Sequence, residues 1–249
     1  MNIIYKILAV VAIGVGVFSC TNEDIVVRYP VSIPQIDTVK VTETQITYGD
    51  SIHVRVAVSD KVAPLSTLLL RVVVNNDIVA SEKIRTKGNQ SSISRAFHVP
   101  FVANRPDNAS VKIYLTSTNV TGIEKDSIVS TTIAKRPEIT ELYLVPDFGQ
   151  GATVKLILID ADKLIYKITG LSLATTFNYK ISTKIDRFKR VDWTGLVFGL
   201  VDVATGKIGL IDQTGSSINA TDGTLVGISE FTFDALMFTA KVGGKKLEP

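Results

Sequence analysis

Apolar and polar residues alternate with a period of two along most of this chain. In SIHVRVAV (51–58), every second residue is Ile or Val, as expected of a strand with one buried face. The same alternation recurs in four later segments, LLLRVVV (68–74), ISRAFHV (93–99), VKIYLTS (111–117) and SIVSTTI (127–133). Turn-forming residues separate these segments. Short strands at this spacing predict a β-sandwich.

The sequence KRP (135–137) interrupts this pattern, because proline removes a donor from the strand ladder and restricts the residue before it. We place a domain boundary there. Residues 38–136 resemble an immunoglobulin-like domain, without the cysteine pair and the core tryptophan of antibody domains.

Residues 137–249 show a second series of strand patterns and no helical stripe. The segments are TVKLILI (153–159), LIYKITG (164–170), FNYKIST (177–183), GLVFGLV (195–201), GKIGLID (206–212) and FTFDALMFTAKV (231–242). They predict a second β-sandwich, of jelly-roll type. The predicted fold class is therefore all-β, with two β-sandwich domains.

The amino terminus reads as a lipoprotein signal. ILAVVAIGVGVF has the length of a signal-peptide apolar region and is too short to span a bilayer. Cleavage after Ser19 leaves Cys20, the one cysteine of the chain, at the new amino terminus. We expect a signal peptide over 1–19, a lipid on Cys20 and a tether over 20–37. An ordinary secretory peptide with a leftover thiol is the alternative.

The residues after the cysteine indicate where the protein is exported. Asn22, Glu23 and Asp24 resemble the acidic surface-export signal of Bacteroidetes-type outer-membrane lipoproteins. That resemblance implies an outer-membrane protein, held by its acyl chains and facing the cell exterior. The chain has 27 Lys and Arg against 24 Asp and Glu, a net charge of +3, so no strong positive field favours nucleic acid as a partner.

Catalytic signatures are missing from the sequence. The two histidines, His53 and His98, fall on the outward faces of first-domain strands, and no GxSxG, HExxH or P-loop string occurs. Asp160 and Asp162 are candidate glycosidase carboxylates, but a turn explains them more simply. We expect no enzyme activity and no cofactor.

Four aspartates, at positions 192, 202, 212 and 222, recur every ten residues. Calcium repeats and ordinary hairpin turns both produce such spacing. Because the EF-hand spacing of ligands is missing, we favour turns.

One segment offers an aromatic binding surface. If a strand begins at Trp193 in RFKRVDWTGLVFG, then Leu196, Phe198 and Leu200 face the core and the indole lies on the other face, beside the small Gly195. Arg190 and Asp192 are its candidate polar partners, and Phe188 widens the surface. The alternative is that Trp193 belongs to the core, as we expect for Tyr166, Tyr179, Phe231 and Phe233.

Several segments together are similar to the SusE and SusF kind of lipoproteins, which accompany SusC/SusD-type transporters. They are PLSTL (64–68), RTKGN (85–89), PFVANRPDNASV (100–111), TNVTG (118–122), KRP (135–137), YKITG (166–170) and FDALMFTAKV (233–242). The resemblance implies a glycan as the ligand, a SusC/SusD-type transporter complex as a partner, and binding without cleavage. Members of that family are often longer than this chain. A structural or adhesive surface lipoprotein, of fimbrial type, is the alternative.

Overall fold

The computed structural model describes residues 28–169, 177–220, 230–242 and 245–246. In these ranges the chain forms eighteen β-strands and no helix. The all-β fold with two sandwich-like units, predicted from the alternation of apolar residues, is confirmed.

The first eight strands form two facing sheets. Their bounds are β1 Gln35–Val41, β2 Gln45–Thr47, β3 Ser51–Ser59, β4 Leu65–Val74, β5 Asp77–Arg85, β6 Gln90–His98, β7 Ala109–Asn119 and β8 Glu124–Lys135. One sheet has the order β1-β3-β6 and the other β2-β8-β7-β4-β5, with only β2 and β8 parallel. This order is that of an immunoglobulin-like sandwich. Apolar residues on alternate positions of β3, β4 and β7 fill the space between the sheets.

The sequence did not predict β1, β2 and β5, each of which is an edge strand of its sheet. An edge strand buries little of either face, so its apolar period is weak, as the exposed residues of β5 show. Gln35 to Asp37 lie within β1. The end of the predicted tether (20–37) therefore belongs to the folded unit.

Asp60 ties the chain before β1 to the sandwich. Its side chain is buried, with the residue 1% exposed, and Oδ2 accepts hydrogen bonds from Ser32 Oγ at 2.8 Å and Asn119 Nδ2 at 2.9 Å. Oδ1 accepts from the backbone N–H groups of Val62 at 2.9 Å and Ala63 at 3.0 Å. Burial alone raises the pKa of a carboxyl, but the four donors outweigh it and lower the pKa of Asp60 to about 2.

The second unit contains the remaining ten strands. Their bounds are β9 Leu142–Pro146, β10 Val154–Asp160, β11 Ile165–Thr169, β12 Phe177–Ser182, β13 Val197–Asp202, β14 Lys207–Leu210, β15 Ile218–Ala220, β16 Glu230–Asp234, β17 Thr239–Val242 and β18 Lys245–Lys246. They join in the order β14-β13-β12-β9-β10-β11-β16-β17-β18, and β15 pairs with β12.

This single sheet folds back on itself at β10. Residues 154–156 of β10 pair with β9, whereas residues 157–160 pair with β11. The two halves then face each other, because Tyr179 packs edge-on against Phe231 at 5.4 Å and Phe198 against Phe233 at 5.1 Å. The unit is thus a two-layer sandwich like the predicted one, and its spatial order β12-β9-β10-β11 is that of a Greek key.

The segment FTFDALMFTAKV, which the alternation predicts as one strand, is a hairpin. Asp234 ends β16, and its Oδ1 accepts hydrogen bonds from the N–H groups of Leu236 and Met237, both at 2.9 Å. Phe238 closes the turn with a φ of 53°, an unusual value for a bulky residue. A short carboxylate side chain that binds backbone two and three residues ahead favours a turn over a continuing strand.

This hairpin joins the two units. The Phe238 ring lies 5.2 Å from the Phe101 ring, which belongs to the loop after β6, and 5.1 Å from the Phe198 ring of β13. The N–H of Asn104 donates to the carbonyl of Leu236 at 2.8 Å. Phe238 is only 5% exposed, so the cores of both units meet at its ring.

We expect Asp60→Asn to lower the free energy of unfolding by about 2 kcal/mol at pH 7. The folded-state pKa lies below the ordinary value, so this stabilisation is complete above the unfolded pKa near 4 and is lost as the pH falls towards 2. Urea unfolding between pH 7 and pH 2 measures it. The exposed Asp50→Asn is the matched control, and equal pH profiles for Asp60→Asn and the wild type would contradict the assignment.

Phe238→Ala removes the ring that both cores share, and we expect it to lower the free energy of unfolding by about 3–5 kcal/mol. Urea denaturation monitored by circular dichroism gives this value. Met237→Ala, in the same turn but exposed, is the control and stays within about 1 kcal/mol of the wild type. A loss of the same small size in both variants would mean that the ring does not join the cores.

Candidate functional site

Two loops of the second unit enclose a cleft of about 530 Å³. One loop follows β9 and the other connects β12 to β13. The lining residues are 145–149, 151–153 and 188–190. Both loops leave the same layer of the sandwich, since β9 and β12 are hydrogen-bonded neighbours.

The first loop holds Phe148 out into solvent, where it is fully exposed. Its base is fixed by Asp147, whose N–H donates to the carbonyl of Asn178 at 2.8 Å. Asp147 Oδ1 accepts hydrogen bonds from Lys180 Nζ at 3.2 Å and from Ser217 Oγ at 2.9 Å. Gly149 has a φ of 80°, which a side chain disfavours and which the tight turn requires. The phenyl ring is therefore presented by a held turn.

The second loop is shaped by Asp186. Its Oδ1 accepts from the N–H groups of Phe188 and Arg190, both at 2.8 Å, and its Oδ2 accepts from Arg190 Nε at 3.1 Å. The Arg190 N–H contributes most to lowering the pKa of Asp186. Thr153 Oγ1 donates to the carbonyl of Lys189 and so ties the two loops together.

Phe188 is the second aromatic ring at the cleft and is 60% exposed. The guanidinium carbon of Arg187 lies 4.6 Å from its centroid, and that of Arg190 lies 5.0 Å from it. Both distances are in the range of cation–π contacts. The two cations limit the positions that the ring can take while leaving much of it in contact with water.

No strand begins at Trp193, although the hypothesis of an aromatic platform assumed one. The strand β13 begins at Val197, and Trp193 lies half-buried in a turn before it. The turn forms because Asp192 accepts hydrogen bonds from the N–H of Thr194 at 3.0 Å and from the N–H of Gly195 at 3.1 Å. Among the described residues that line the cleft, Phe188 and Arg190 are present, but Trp193 and Asp192 are not.

Gly195 is small for a reason other than access to the indole. A Cβ at this position would come within 2.7 Å of Thr183 Oγ1. That hydroxyl accepts a hydrogen bond from the N–H of Leu196 at 2.8 Å. The glycine therefore allows the loop to approach β12 closely.

The residues that the alternation predicts for the core are buried or packed against it in the structure. Phe198 is buried, and Leu196, just before β13, and Leu200 pack against the core. Four further aromatic residues, Tyr166, Tyr179, Phe231 and Phe233, are also fully buried. Sequence reasoning missed Phe148, although its place between Asp147 and Gly149 is a turn signal that puts an aromatic ring at a loop tip.

The aspartates that recur every ten residues close turns. Asp192, Asp202 and Asp212 each accept a hydrogen bond from the N–H two residues ahead, at 2.9–3.0 Å. Asp222 lies outside the described residues. Asp160 likewise accepts from the N–H of Lys163 at 3.0 Å, which is the turn that we favoured for that segment.

A second cleft, of about 430 Å³, lies where the two units meet. Phe101 and Phe238 line it, but both rings are buried against each other. His98 lies at its rim and is exposed. The wall of this cleft is mainly apolar, and the two described rings that line it face each other.

Cys20, the predicted lipidation site, lies outside the described residues. Within the described ranges no helix is long and apolar enough to cross a membrane.

Comparisons with known proteins give little on function. Residues 1–124 match a family model described as a domain of unknown function (DUF5016). No curated protein matches the chain. Among solved structures, the chain is similar to the sporulation control protein Spo0M of Bacillus subtilis, at 9% identity and a TM-score of 0.36, over 87% of this chain and 83% of that one.

Proposed function

We propose that this protein is a cell-surface lipoprotein that binds a polysaccharide without cleaving it, as part of a polysaccharide-uptake system. The observation that carries the proposal is the pair of exposed phenyl rings, Phe148 and Phe188, on opposite loops of one cleft. Single exposed apolar residues are ordinary, but two aromatic rings on neighbouring held loops are not explained by folding.

Carbohydrate binding asks for this combination. The C–H faces of pyranose rings pack on flat aromatic surfaces, and nearby polar groups bind the hydroxyls. The cleft supplies Phe148 and Phe188 as the surfaces and the Arg190 guanidinium as a donor. Because hydrogen bonds fix both loops before any ligand arrives, little conformational freedom is lost on binding.

The role of Asp147 favours binding over cleavage. A glycosidase needs two carboxyl groups free to exchange protons beside the sugar. Asp147 is the one carboxylate that lines the described part of the cleft, and Lys180 and Ser217 engage it on the side of the sheet. These contacts suit a carboxylate that positions the loop better than one of a pair of catalytic carboxyl groups.

The lipid anchor is the second part of the proposal. Cys20 lies twelve residues before Ser32, the first of the described residues whose side chain is hydrogen-bonded to the folded unit. Residues 28–31, just before it, are exposed. A segment of this length between lipid and sandwich would let the cleft reach polymers outside the cell, beside a SusC/SusD-type transporter.

A structural or adhesive surface lipoprotein is the second candidate. The observation that favours it is an apolar stretch of three exposed residues on β10, Ile157, Leu158 and Ile159. Ile157 and Leu158 pair with β11 on one side only, and Ile159 lies at a register shift of that pairing. An open edge of this kind suits strand-to-strand assembly, and self-association at micromolar concentration without glycan would favour this role.

We expect Phe148→Ala and Phe188→Ala each to weaken binding of the full chain to its best ligand in a polysaccharide panel by at least about tenfold. Isothermal titration calorimetry in mild detergent measures the affinity. Val203→Ala, an exposed residue outside the cleft lining, and Trp193→Ala serve as controls and stay within about twofold. Loss of binding in Trp193→Ala alone would mean that the glycan binds at the Trp193 indole and not at Phe148 and Phe188.

The full chain isolated from bacterial membranes should begin at Cys20 and carry extra mass from its acyl groups. We expect the Cys20→Ala variant to lack that extra mass. It should also be lost from the membrane fraction, because the acyl chains attach the protein to the membrane. Intact-mass spectrometry and fractionation measure both effects. An unmodified Cys20 thiol in the membrane-bound protein would refute the anchor.

A further inference from the structure

The loop that carries Phe188 is strongly basic. Arg187, Lys189 and Arg190 lie within four consecutive positions and are all exposed. Lys189 and Arg190 line the cleft, and the Arg187 guanidinium is stacked near the Phe188 ring. Three like charges this close repel one another, so the loop alone gains no stability from them.

Only one of these three cations has a carboxylate partner. Arg190 is paired with Asp186, at 3.1 Å between Nε and Oδ2. Within the part of the chain that the structure describes, no ion pair joins Arg187 or Lys189 to an acidic side chain. The acid across the cleft, Asp147, is engaged by Lys180 at 3.2 Å.

Among the described residues, Lys189 in the cleft lining and Arg187 beside the Phe188 ring thus lack a carboxylate partner, next to two exposed phenyl rings. Lys189 has a φ of 63°, and its carbonyl accepts the hydrogen bond from Thr153, so its backbone is held on the cleft side of the turn. A neutral sugar would not need charges at this place. A carboxylate or a sulfate group would gain charge-assisted hydrogen bonds there.

We propose that the ligand is an anionic polysaccharide, in which Phe148 and Phe188 contact sugar faces while Arg187 and Lys189 bind a carboxylate or sulfate group. This inference rests on the proposed glycan-binding function and specifies its substrate class. The charges select the ligand, whereas the rings supply contact area that charged and neutral sugars share.

The test compares four probes with the full chain in mild detergent. Polygalacturonate carries carboxylates, the same polymer with its carboxyls reduced to alcohols carries none, and carrageenan carries sulfates. A single-stranded DNA oligonucleotide represents an anionic polymer that is not a glycan. We expect one of the two charged glycans to bind at least about tenfold more tightly than the neutral polymer, and which one it is identifies the anionic group.

The variant pair is matched in charge. Arg187→Gln with Lys189→Gln removes the two cations, and Lys61→Gln with Lys87→Gln removes two exposed lysines from the first unit. We expect the first pair to weaken binding of the charged glycan about tenfold and to leave the neutral polymer unchanged. The second pair should change neither affinity, and the first pair should lower the dependence of binding on salt.

Three outcomes would overturn the inference. If Arg187→Gln with Lys189→Gln binds the charged glycan as the wild type does, the cations do not select the ligand, while glycan binding itself stands. If the oligonucleotide binds as tightly as the charged glycan, the site is a general anion surface. If neither charged nor neutral glycan binds, the proposed function fails together with the inference.

Discussion

The packing of one ring, that of Phe238, holds the two units of this protein in a fixed relation. Its backbone adopts a left-handed conformation that a bulky residue avoids, at a cost of roughly 1–3 kcal/mol. Burial of the ring between Phe101 and Phe198 more than offsets this. The contacts continue to Tyr48 on one side and Phe233 on the other, so the aromatic residues of both units form one chain of contacts.

The consequences of this junction reach the cleft. Phe198 belongs to β13, which follows the basic loop, and it packs on both Phe233 and Phe238. A layer held at its core in this way is a stable base for the two loops. Each loop is also held by hydrogen bonds to a carboxylate, that of Asp147 in the first loop and that of Asp186 in the second. Loops fixed by hydrogen bonds at their bases can expose aromatic side chains without losing their own order.

The distribution of charge follows the same division. Near the sheet, cations and carboxylates are paired, as in Lys180 with Asp147 and Lys155 with Glu141. At the tip of the basic loop, Arg187 and Lys189 stand without such partners among the described residues. Pairs near the sheet position backbone, whereas charges at the tip are open to a ligand. The paired residues therefore position the loops, whereas the residues at the tip would contact a ligand.

What the sequence determined by itself is the type of structure and most of the core. A period of two over many short segments specifies strands, because successive side chains of a strand point to opposite faces. It therefore identified β3, β4 and β7 and the buried aromatics at positions 166, 179, 231 and 233. Edge strands such as β1 and β5 escaped, since a strand with little buried surface has little pattern.

Only the tertiary structure decided which aromatic rings stay in water. Whether Trp193, Phe188 or Phe148 is exposed depends on where the loop ends and what packs on it. The carboxylate of Asp192 accepts a hydrogen bond from the N–H of Thr194 in a turn, and β13 begins only at Val197. The cleft itself arises because the loop between β12 and β13 lies against the loop after β9, distant in sequence, where Thr153 Oγ1 donates to the carbonyl of Lys189. Such a neighbourhood is set by the packing of the whole unit, and local alternation contains no information about it.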